Sequence, residues 1–482
     1  MIITDIPWLE AEFLEESKFF SGLTDKNVIT HSAREEGGFF INEITIDKKP
    51  YSFADRHAYK DELEHKRYFR RFAKLALYLA LSDFTGEKLE WGALTGIRPV
   101  KFAYSEGENW REIMGDEMKV SPEKLDMVGR IMEEQKGIYS LDEENADFFV
   151  SIPFCPSRCA YCSFVSNEIG REKQVPEYVS ALCEEIEATK PFFKKYRSFY
   201  VGGGTPISLP IKELERVLKA IGNPNVEYTV EAGRPDCITD EVLAMLKEYG
   251  VTRICVNPQT FNDKTLAEIG RKHTVKDIFD KYALARKYDF DINMDLIAGL
   301  TGETFEDFKY SIDACSELSP DNVTVHTLSL KKGSVLKEKT ERLDAGEIKN
   351  MIDYSAYKLI NSGFSPYYMY RQKYMAGNLE NTGYTKKGKA CVYNIDVMEE
   401  ISSNPACGAN GVSKRLFARE DRIERYGAPK DIKTYIGKID KIISDKREFF
   451  EADEKNKSRQ KIRTDEKIEI NRIKRNKLYK SI

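Results

Sequence analysis

Short apolar, β-branched and aromatic runs alternate with amphipathic segments of helical length between residues 147 and 330. Such runs predict strands, and segments whose apolar residues recur every three or four positions predict helices. The predicted strands are 148–152, 198–201, 226–231, 253–256, 291–296 and 322–328. The predicted helices between them are 174–190, 211–221, 239–249, 263–287 and 304–317.

This alternation predicts an α/β fold in which right-handed βαβ units build a parallel sheet. The sheet either curls into a partial TIM-like barrel or opens into a doubly wound layer, and the pattern alone does not choose between them. Functional residues lie at the carboxyl ends of the strands in both architectures. We therefore expect the site where the predicted strands end.

The first 145 residues form an N-terminal α+β region. Residues 39–46 alternate as a strand does, and Tyr68, Phe72, Leu75 and Leu79 recur at helical spacing. We expect this apolar stripe to face a core and the opposite, basic face of the helix to be solvated. The basic face carries Lys66, Arg67, Arg70, Arg71 and Lys74.

Two regions follow the barrel region, which we place at 146–335. Residues 336–445 are rich in Tyr and Asn and are expected to cover the substrate as a C-terminal domain. Residues 446–482 form a charged tail. From 451 onward it has eleven Lys or Arg against six Asp or Glu, and we expect residues 451–482 to be a solvated helix or disordered.

Composition and charge exclude several classes of protein. Hydrophobic residues make up 41% of the 482 residues and charged residues 32%, which excludes a disordered or collagenous chain. The 75 basic and 79 acidic residues nearly cancel, so no general attraction to nucleic acid follows. The N-terminus is acidic where a targeting signal would be basic, and the longest aliphatic stretch, 75–81, is too short to span a bilayer. We expect a cytoplasmic protein without a nucleic-acid or membrane partner.

The cysteine pattern is the most informative chemical feature. Cys155, Cys159 and Cys162 form C-x3-C-x2-C directly after the first predicted strand. Thiolates suit zinc or an iron–sulfur cluster, and a structural zinc would need a fourth ligand nearby. The next cysteine, Cys183, lies alone in a predicted helix. We favour a four-iron cluster with one iron left open to substrate, and zinc is the alternative.

The cysteine spacing, the aromatic Tyr161 and the preceding strand resemble the radical S-adenosylmethionine (SAM) superfamily. The resemblance implies a [4Fe–4S] cluster whose open iron binds SAM, which is cleaved to a 5′-deoxyadenosyl radical. After the second strand comes a glycine turn that includes Gly203, Gly204 and Thr205. Its backbone can approach a ligand closely, and its N–H and C=O groups can pair with one. This turn resembles the second SAM contact of the superfamily.

Longer segments resemble one family in particular. FYVGGGTP, VEAGRPD, ICVNPQTFNDKTLAEIGRKHT and NMDLIAGLTGET, in this order, resemble the coproporphyrinogen dehydrogenases of the HemZ-type branch and the related heme chaperones. The resemblance implies a radical SAM partial (β/α)6 barrel with N- and C-terminal extensions. It implies that Gly203 and Glu231 contact the cluster-bound SAM. Around a second SAM it places Tyr161, Gly204, Thr205, Gln259, Arg271 and Asp295.

The same resemblance implies a reaction: oxygen-independent oxidative decarboxylation of two propionates of coproporphyrinogen III, giving protoporphyrinogen IX for heme biosynthesis. The implied partners are the porphyrinogen, a low-potential electron donor and an electron acceptor that the sequence does not identify. A tetracarboxylate substrate also needs cations. The candidates are Arg98, Lys101, Arg234, Arg371 and Lys373.

Three features bear on the alternatives. Phe149 stands at the cofactor position where the dehydrogenases have a Tyr, and Phe164 replaces an additional Cys of theirs. The C-terminal region reads Val-Tyr-Asn-Ile at 392–395 and lacks the His-Asn-x-x-Tyr-Trp pattern of the chaperones. We interpret the chain as a dehydrogenase. A heme-binding chaperone and a radical SAM enzyme for another substrate are the alternatives.

Two further expectations concern single residues. Cys183, Cys255 and Cys315 are predicted to be buried core residues, because a free thiol packs as a small apolar group. His326, within the last predicted strand, is predicted to be a hydrogen-bonded residue at the rim of the site and not a metal ligand.

Overall fold

The computed structural model describes residues 1–162, 166–171, 173–329, 345–372 and 379–451. Its N-terminal part is a four-stranded sheet with two helices. These elements are β1 (Ile2–Thr4), α1 (Glu10–Ser17), β2 (Ile29–Glu36), β3 (Phe39–Ile46), β4 (Lys49–Asp55) and α2 (Glu62–Thr85). The strands pair in chain order, β1 with β2 in parallel and the others antiparallel. The strand predicted at 39–46 is confirmed as β3.

The apolar stripe of α2 packs against this sheet, as its spacing predicts. Tyr68, Phe72 and Leu75 are buried in a cluster shared with the strands. The expectation of a solvated basic face was wrong for Arg71, whose side chain is 8% exposed and pairs with Glu106. A charged side chain can be buried at this position because its partner is supplied by the next helix.

A second hydrophobic cluster follows in the N-terminal region. It is built on α3 (Pro99–Glu106), α4 (Trp110–Glu112) and α5 (Pro122–Glu134) around the fully buried Trp91. Met369, from the C-terminal part of the chain, belongs to the same cluster, and the Trp91 indole donates a hydrogen bond to Glu380 at 2.8 Å. This part of the N-terminal region is therefore packed together with the C-terminal extension.

The central part is the predicted α/β barrel. Its strands and helices are β5 (Asn145–Ile152), β6 (Phe154–Cys155), β7 (Asn167–Glu168), α6 (Val175–Thr189), β8 (Lys195–Gly203), α7 (Ile211–Ile221), β9 (Glu227–Val230), α8 (Asp240–Glu248), β10 (Arg253–Cys255), α9 (Asp263–Glu268), α10 (Val275–Ala285), β11 (Asp291–Ala298), α11 (Phe305–Leu318) and β12 (Asn322–Thr327). The six strands β5, β8, β9, β10, β11 and β12 are parallel neighbours in chain order. A doubly wound sheet reverses its strand order, so this order indicates the partial barrel.

One predicted helix is divided. The expected single helix over 263–287 is α9 and α10, separated by a turn. Gly270 in that turn has φ +78°, a left-handed conformation that ends a helix and that glycine adopts at little cost. Thr274 and Asp277 then form a capping box that begins α10. The pattern of apolar residues continued through the break because both helices pack on the same barrel.

The C-terminal extension covers both edges of the barrel sheet. It contains α12 (Ala345–Asn361), β13 (Ser365–Tyr370), β14 (Asn381–Thr385), α13 (Val392–Glu399), β15 (Ala406–Cys407), β16 (Val412–Phe417), β17 (Arg422–Gly427), α14 (Ile432–Ile436) and α15 (Ile439–Glu451). The sheet order is β13-β14-β12-β11-β10-β9-β8-β5-β15. β14 pairs antiparallel with β12, and β15 pairs in parallel with β5. Pairing at both edges satisfies backbone groups that an open barrel would expose.

Helix α15, the last described helix, contains the first residues of the predicted charged tail. Lys446 and Phe450, at the start of the tail predicted over 446–482, are buried in α15, where Lys446 pairs with the fully buried Glu185 at 2.6 Å. The tail boundary predicted at 446 therefore lies within α15. The solvated segment predicted over 451–482 lies outside the described residues apart from Glu451, which is exposed. In the described ranges, every helix is too short or too polar to cross a bilayer.

Candidate active site

The cysteine loop begins directly after β5. Cys155 lies in the short strand β6, and the Cys162 N–H donates to the Cys159 carbonyl oxygen at 3.1 Å, forming a turn. The loop is fixed from outside by the Ala160 N–H, which donates to the Ile269 carbonyl oxygen at 3.0 Å. The backbone therefore holds the three cysteines against the loop that follows α9.

All three cysteines line one cavity of about 370 Å³. Burial raises the pKa of the Cys155 thiol, which the Thr205 hydroxyl contacts at 3.6 Å from Sγ. Across the described residues, no three His, Cys, Asp or Glu side chains converge on a single metal-ion position. In a four-iron cluster each thiolate binds its own iron, so the three sulfur atoms need not lie within bonding distance of one metal ion. The soft donor set and the adjoining cavity fit a cluster better than the zinc alternative.

The glycine turn lies beside the cysteine loop at the end of β8. Gly203 has φ +104°, and a Cβ on Gly204 would lie 2.4 Å from the Phe154 carbonyl oxygen, so neither position accepts a side chain. The Gly204 and Thr205 N–H groups donate to the carbonyl oxygens of Ile152 and Phe154 at 2.8 and 2.7 Å. The expectation that these N–H groups pair with a ligand was therefore wrong, because they fasten the turn to the cysteine loop.

Glu231 follows β9 and faces the same cavity. Its carboxylate accepts hydrogen bonds from the Tyr200 hydroxyl at 2.7 Å and from the Gly203 N–H. Burial raises the pKa of Glu231 to about 7 and the nearby Asp295 adds to the rise, whereas the two hydrogen bonds oppose it. A cationic ligand would favour the ionised carboxylate, which burial disfavours.

Gln259 and Asp295 face the cavity from the neighbouring strand ends. Gln259 has φ +69°, and its N–H donates to the Asp295 carbonyl oxygen at 2.9 Å. The Asp295 carboxylate accepts from the side-chain amides of Asn257 and Asn293, each at 2.7 Å. These two amides orient the carboxylate while leaving it on the cavity wall.

Arg271 also lines the cavity, but most of its donors are occupied. One terminal nitrogen donates to the carbonyl oxygens of Asn257 and Gly233 at 2.6 and 3.3 Å, and the other donates to the Tyr161 hydroxyl at 3.2 Å. The buried Nε has no hydrogen-bond partner. A bidentate fork from the two terminal nitrogens to a carboxylate would displace existing contacts, whereas Nε can still donate to a ligand.

Phe149 is the one predicted cofactor residue that does not line this cavity. Its ring stacks with those of Tyr200, which lines the cavity, and Tyr393, with ring centroids 6.2 Å apart in each pair. Phe164, the other departure from the dehydrogenases, lies outside the described residues.

Most of the cations proposed to bind substrate carboxylates instead contact other groups of the protein. Arg98 and Lys101 contact Glu400 at 2.5 and 2.8 Å, and Arg371 is buried with its guanidinium on main-chain carbonyl oxygens. None of these three lines the cavity. Their assignment to substrate binding was wrong, since they hold the extensions together, and Lys373 lies outside the described residues.

Arg234 does line the cavity, yet it is already paired. Its guanidinium forms two hydrogen bonds of 2.9 Å with Asp236, and Nη1 lies 3.7 Å from the Cys159 sulfur. The Ser157 hydroxyl accepts from both terminal nitrogens at 3.3 Å. Arg234 therefore positions the cysteine loop and is not available to a substrate carboxylate.

Sequence reasoning missed several residues that line the cavity. They include Tyr200, Thr324, Tyr368, Tyr370 and Asn394. Thr324 shares a strand face with His326, because alternate positions of a strand point the same way. His326 is a rim residue, as predicted, and its Nδ1 lies 3.3 Å from the Tyr370 hydroxyl oxygen.

The core prediction for the other cysteines is confirmed for two of three. Cys255 and Cys315 are buried, although Cys255 also lines the cavity. Cys183 is only half-buried, with its thiol 3.6 Å from the Arg216 carbonyl oxygen.

A parallel partial barrel with three cysteines after its first strand and a glycine turn after its second defines the radical SAM class. The family model described as the radical SAM superfamily matches residues 149–315. The coproporphyrinogen III oxidase HemN from Escherichia coli, a radical SAM enzyme, superposes with a TM-score of 0.51 at 21% identity. That match covers 64% of this chain and 71% of the other, and it supports the fold.

Two relatives narrow the class to a family. The oxygen-independent coproporphyrinogen-III oxidase-like protein HemZ of Bacillus subtilis (strain 168) is 34% identical over 421 residues, covering 82% of this chain and 84% of that protein. The heme chaperone HemW of Lactococcus lactis subsp. lactis (strain IL1403) is 35% identical over 208 residues, covering 42% and 54%. The chain therefore belongs to the HemZ-type family of the radical SAM superfamily, whose cofactors are a [4Fe–4S] cluster and SAM.

Proposed function

We propose that the chain catalyses the oxygen-independent oxidative decarboxylation of coproporphyrinogen III to protoporphyrinogen IX. The observation that carries the proposal is the position of the segment at 392–395, which separates this sequence from the chaperone pattern. The Tyr393 ring stacks on Tyr200 at 4.3 Å, and Asn394 lines the cavity while donating to the Tyr367 hydroxyl at 3.0 Å. A segment that differs from the chaperones is thus part of the site.

The extent of the similarity supports the same proposal. The match to the oxidase-like HemZ covers 84% of that relative, whereas the match to the Lactococcus chaperone covers 54%. Most of the N-terminal and C-terminal extensions are therefore shared with the oxidase-like protein.

When bound, the cluster and SAM would supply a carbon radical, which a hydrogen abstraction from an unactivated propionate carbon requires. Each propionate would lose one hydrogen atom to that radical, carbon dioxide, and one electron to an acceptor, leaving a vinyl group. We assign the cluster to Cys155, Cys159 and Cys162. The charged and amide side chains around Glu231 and Asp295 would orient the amino acid and ribose parts of SAM.

We infer that the first SAM is held by Gly203 and Glu231. The positions for a second SAM or for the substrate are Tyr161, Gly204, Thr205, Gln259, Arg271 and Asp295. Because the N–H groups of the glycine turn are occupied, the turn would act by close approach and through its carbonyl oxygens. Arg158 is exposed and also lines the cavity.

A heme chaperone is the second candidate, and Phe149 favours it. A Tyr at this position in the dehydrogenases would carry a hydroxyl that this chain lacks. A chaperone would bind heme in a one-to-one complex and would leave coproporphyrinogen III unchanged.

The test is an anaerobic incubation of cluster-reconstituted protein with SAM, a low-potential reductant, an electron acceptor and coproporphyrinogen III. We expect protoporphyrinogen IX, identified by mass, together with carbon dioxide and 5′-deoxyadenosine. A Cys159→Ala variant is the matched control and should give none of the three products. Tight heme binding without carbon dioxide release would replace this proposal with the chaperone, and SAM cleavage with neither would indicate another substrate.

A further inference from the structure

A second cavity, of about 340 Å³, lies far from the cysteines. Helix α3, the segment that follows α5, the end of α13 and the β16–β17 hairpin surround it. One lining residue, Ile401, accepts a hydrogen bond from the Asp142 N–H, just before β5 begins. The cysteine loop follows the other end of β5, an eight-residue strand that spans roughly 25 Å. The second cavity is therefore separate from the candidate active site.

The electrostatics of this cavity are unusual because one carboxylate meets four cations. Glu400 pairs with Arg98 at 2.5 Å, Lys101 at 2.8 Å, Arg425 at 2.9 Å and Lys414 at 3.3 Å. Among the described residues these cations have no other ion pair. Burial and the neighbouring Arg98 lower the pKa of Lys414, although Glu400 opposes the shift. The four cations outnumber the acids that line the cavity, Glu399, Glu400 and Asp421. Arg422, which also lines it, is paired with Glu420 and Glu424.

A buried acid without a complete set of partners also lines the cavity. Glu399 is 2% exposed, and its Oε1 accepts from the Gln135 side chain at 3.0 Å. Its Oε2 has no hydrogen-bond partner. Buried polar atoms are nearly always paired, so this oxygen could accept a hydrogen bond from a hydroxyl or amino group of a ligand, but not from its phosphate.

One part of the wall is aromatic and apolar. Tyr104 and Tyr139 stack with ring centroids 3.9 Å apart, and Leu141, Leu416 and Ile423 line the cavity with them. Aromatic rings of this kind bind flat ring systems. The cavity thus has a charged part and an aromatic part next to each other.

We propose that this cavity binds a small phosphorylated molecule with a flat ring, the chemical class to which mononucleotides belong. Arg and Lys side chains are the usual partners of phosphate, and the phosphate would supply the charge that Glu400 alone does not balance. The flat ring would lie against Tyr104 and Tyr139. The cavity volume is at the lower end of the roughly 300–1,000 Å³ of small-molecule sites. The inference does not depend on which reaction the other cavity performs.

The test uses the full chain with its cluster reconstituted, under anaerobic conditions and with saturating SAM so that the first cavity is filled. Titration calorimetry with ADP should give one site, and adenosine or inorganic phosphate alone should bind at least about tenfold more weakly. Arg425→Gln should weaken ADP binding about tenfold, since one charged contact is lost. The Arg425 side chain is 51% exposed, so we expect this variant to fold. Lys276→Gln, at an exposed site on α10, is the matched control and should bind like wild type.

Two further variants separate the parts of the site. Tyr104→Leu should weaken binding of ADP but not of inorganic phosphate. Glu400→Gln removes the internal anion, so phosphate should raise its melting temperature more than that of wild type at equal ionic strength. Rates of SAM cleavage should be unchanged in Arg425→Gln. The proposal is overturned if SAM-saturated protein does not bind ADP, if ADP competes with SAM, or if Arg425→Gln and Tyr104→Leu both bind ADP normally.

Discussion

Glu231 provides the sharpest test of the candidate active site. Its pKa rises from 4.5 to about 7, mainly because the carboxyl is buried. The rise corresponds to about 3 kcal/mol between the two protonation states. Because the folded-state pKa lies above the unfolded value, this contribution to stability is present below pH 4.5 and is lost as pH rises through 7. Glu231→Gln should therefore stabilise SAM-free protein at pH 8 by as much as about 3 kcal/mol.

The same carboxyl should make SAM binding depend on pH. SAM carries positive charge, so it favours ionised Glu231, whose fraction in the SAM-free protein falls about tenfold between pH 8 and pH 6. The affinity of wild type for SAM should therefore fall by up to about tenfold from pH 8 to pH 6. The affinity of Glu231→Gln should not show this fall, because the variant has no carboxyl to titrate at this position. Anaerobic equilibrium dialysis with labelled SAM measures the affinity, and urea denaturation at each pH measures the stability.

Glu303→Gln is the matched control. Burial also raises the pKa of Glu303 to about 7, but this residue does not line the cavity and is bonded to Thr260. The control should therefore gain stability at pH 8 while keeping the pH dependence of SAM binding. The reasoning fails if wild type and Glu231→Gln show the same change in SAM affinity from pH 8 to pH 6.

Three further changes test other parts of the structure. Alanine at Cys155, Cys159 or Cys162 should abolish the brown colour and the iron content of anaerobically reconstituted protein, and retention of a full cluster would contradict the ligand assignment. Gly204→Ala places a Cβ 2.4 Å from the Phe154 carbonyl oxygen, so it should displace the cysteine loop and lower iron occupancy, as an iron assay would show. Lys446→Met leaves Glu185 buried without its cation and should cost about 3–5 kcal/mol in urea denaturation. The exposed Lys441→Met, on the same helix, should cost less than about 1 kcal/mol.

The barrel could be predicted from sequence because its signal is local and repeated. Each βα unit places an apolar run before an amphipathic segment, and parallel strands bring their carboxyl ends to one edge. The extensions could not be predicted in the same way. Their strands β14 and β15 pair with barrel strands that lie far away in the chain, and their cations pair with acids from distant elements. Periodicity carries no information about such partners.

The candidate site was predictable in position and less so in detail. Sequence indicated which strand ends converge, and alternation along β11 also pointed to Asn293, which shares a face with Asp295. It could not indicate that Arg271 binds main-chain carbonyl oxygens, because main-chain acceptors leave no trace in the residue types. For the same reason the N–H groups of the glycine turn looked free. Hydrogen bonds to the backbone are the part of a site that a sequence describes least.

Phe149, which differs from the dehydrogenases, and the 392–395 segment, which differs from the chaperones, lie next to each other. Phe149 pairs with Tyr200 in the register of β5 and β8, and both rings stack with Tyr393 of the C-terminal extension. Tyr200 in turn donates to Glu231. A change at 149 or at 393 therefore acts on the cavity through Tyr200, by altering how Glu231 is held. For this reason Phe149 and the 392–395 segment should be exchanged together, and not singly, when the chain is compared with a chaperone.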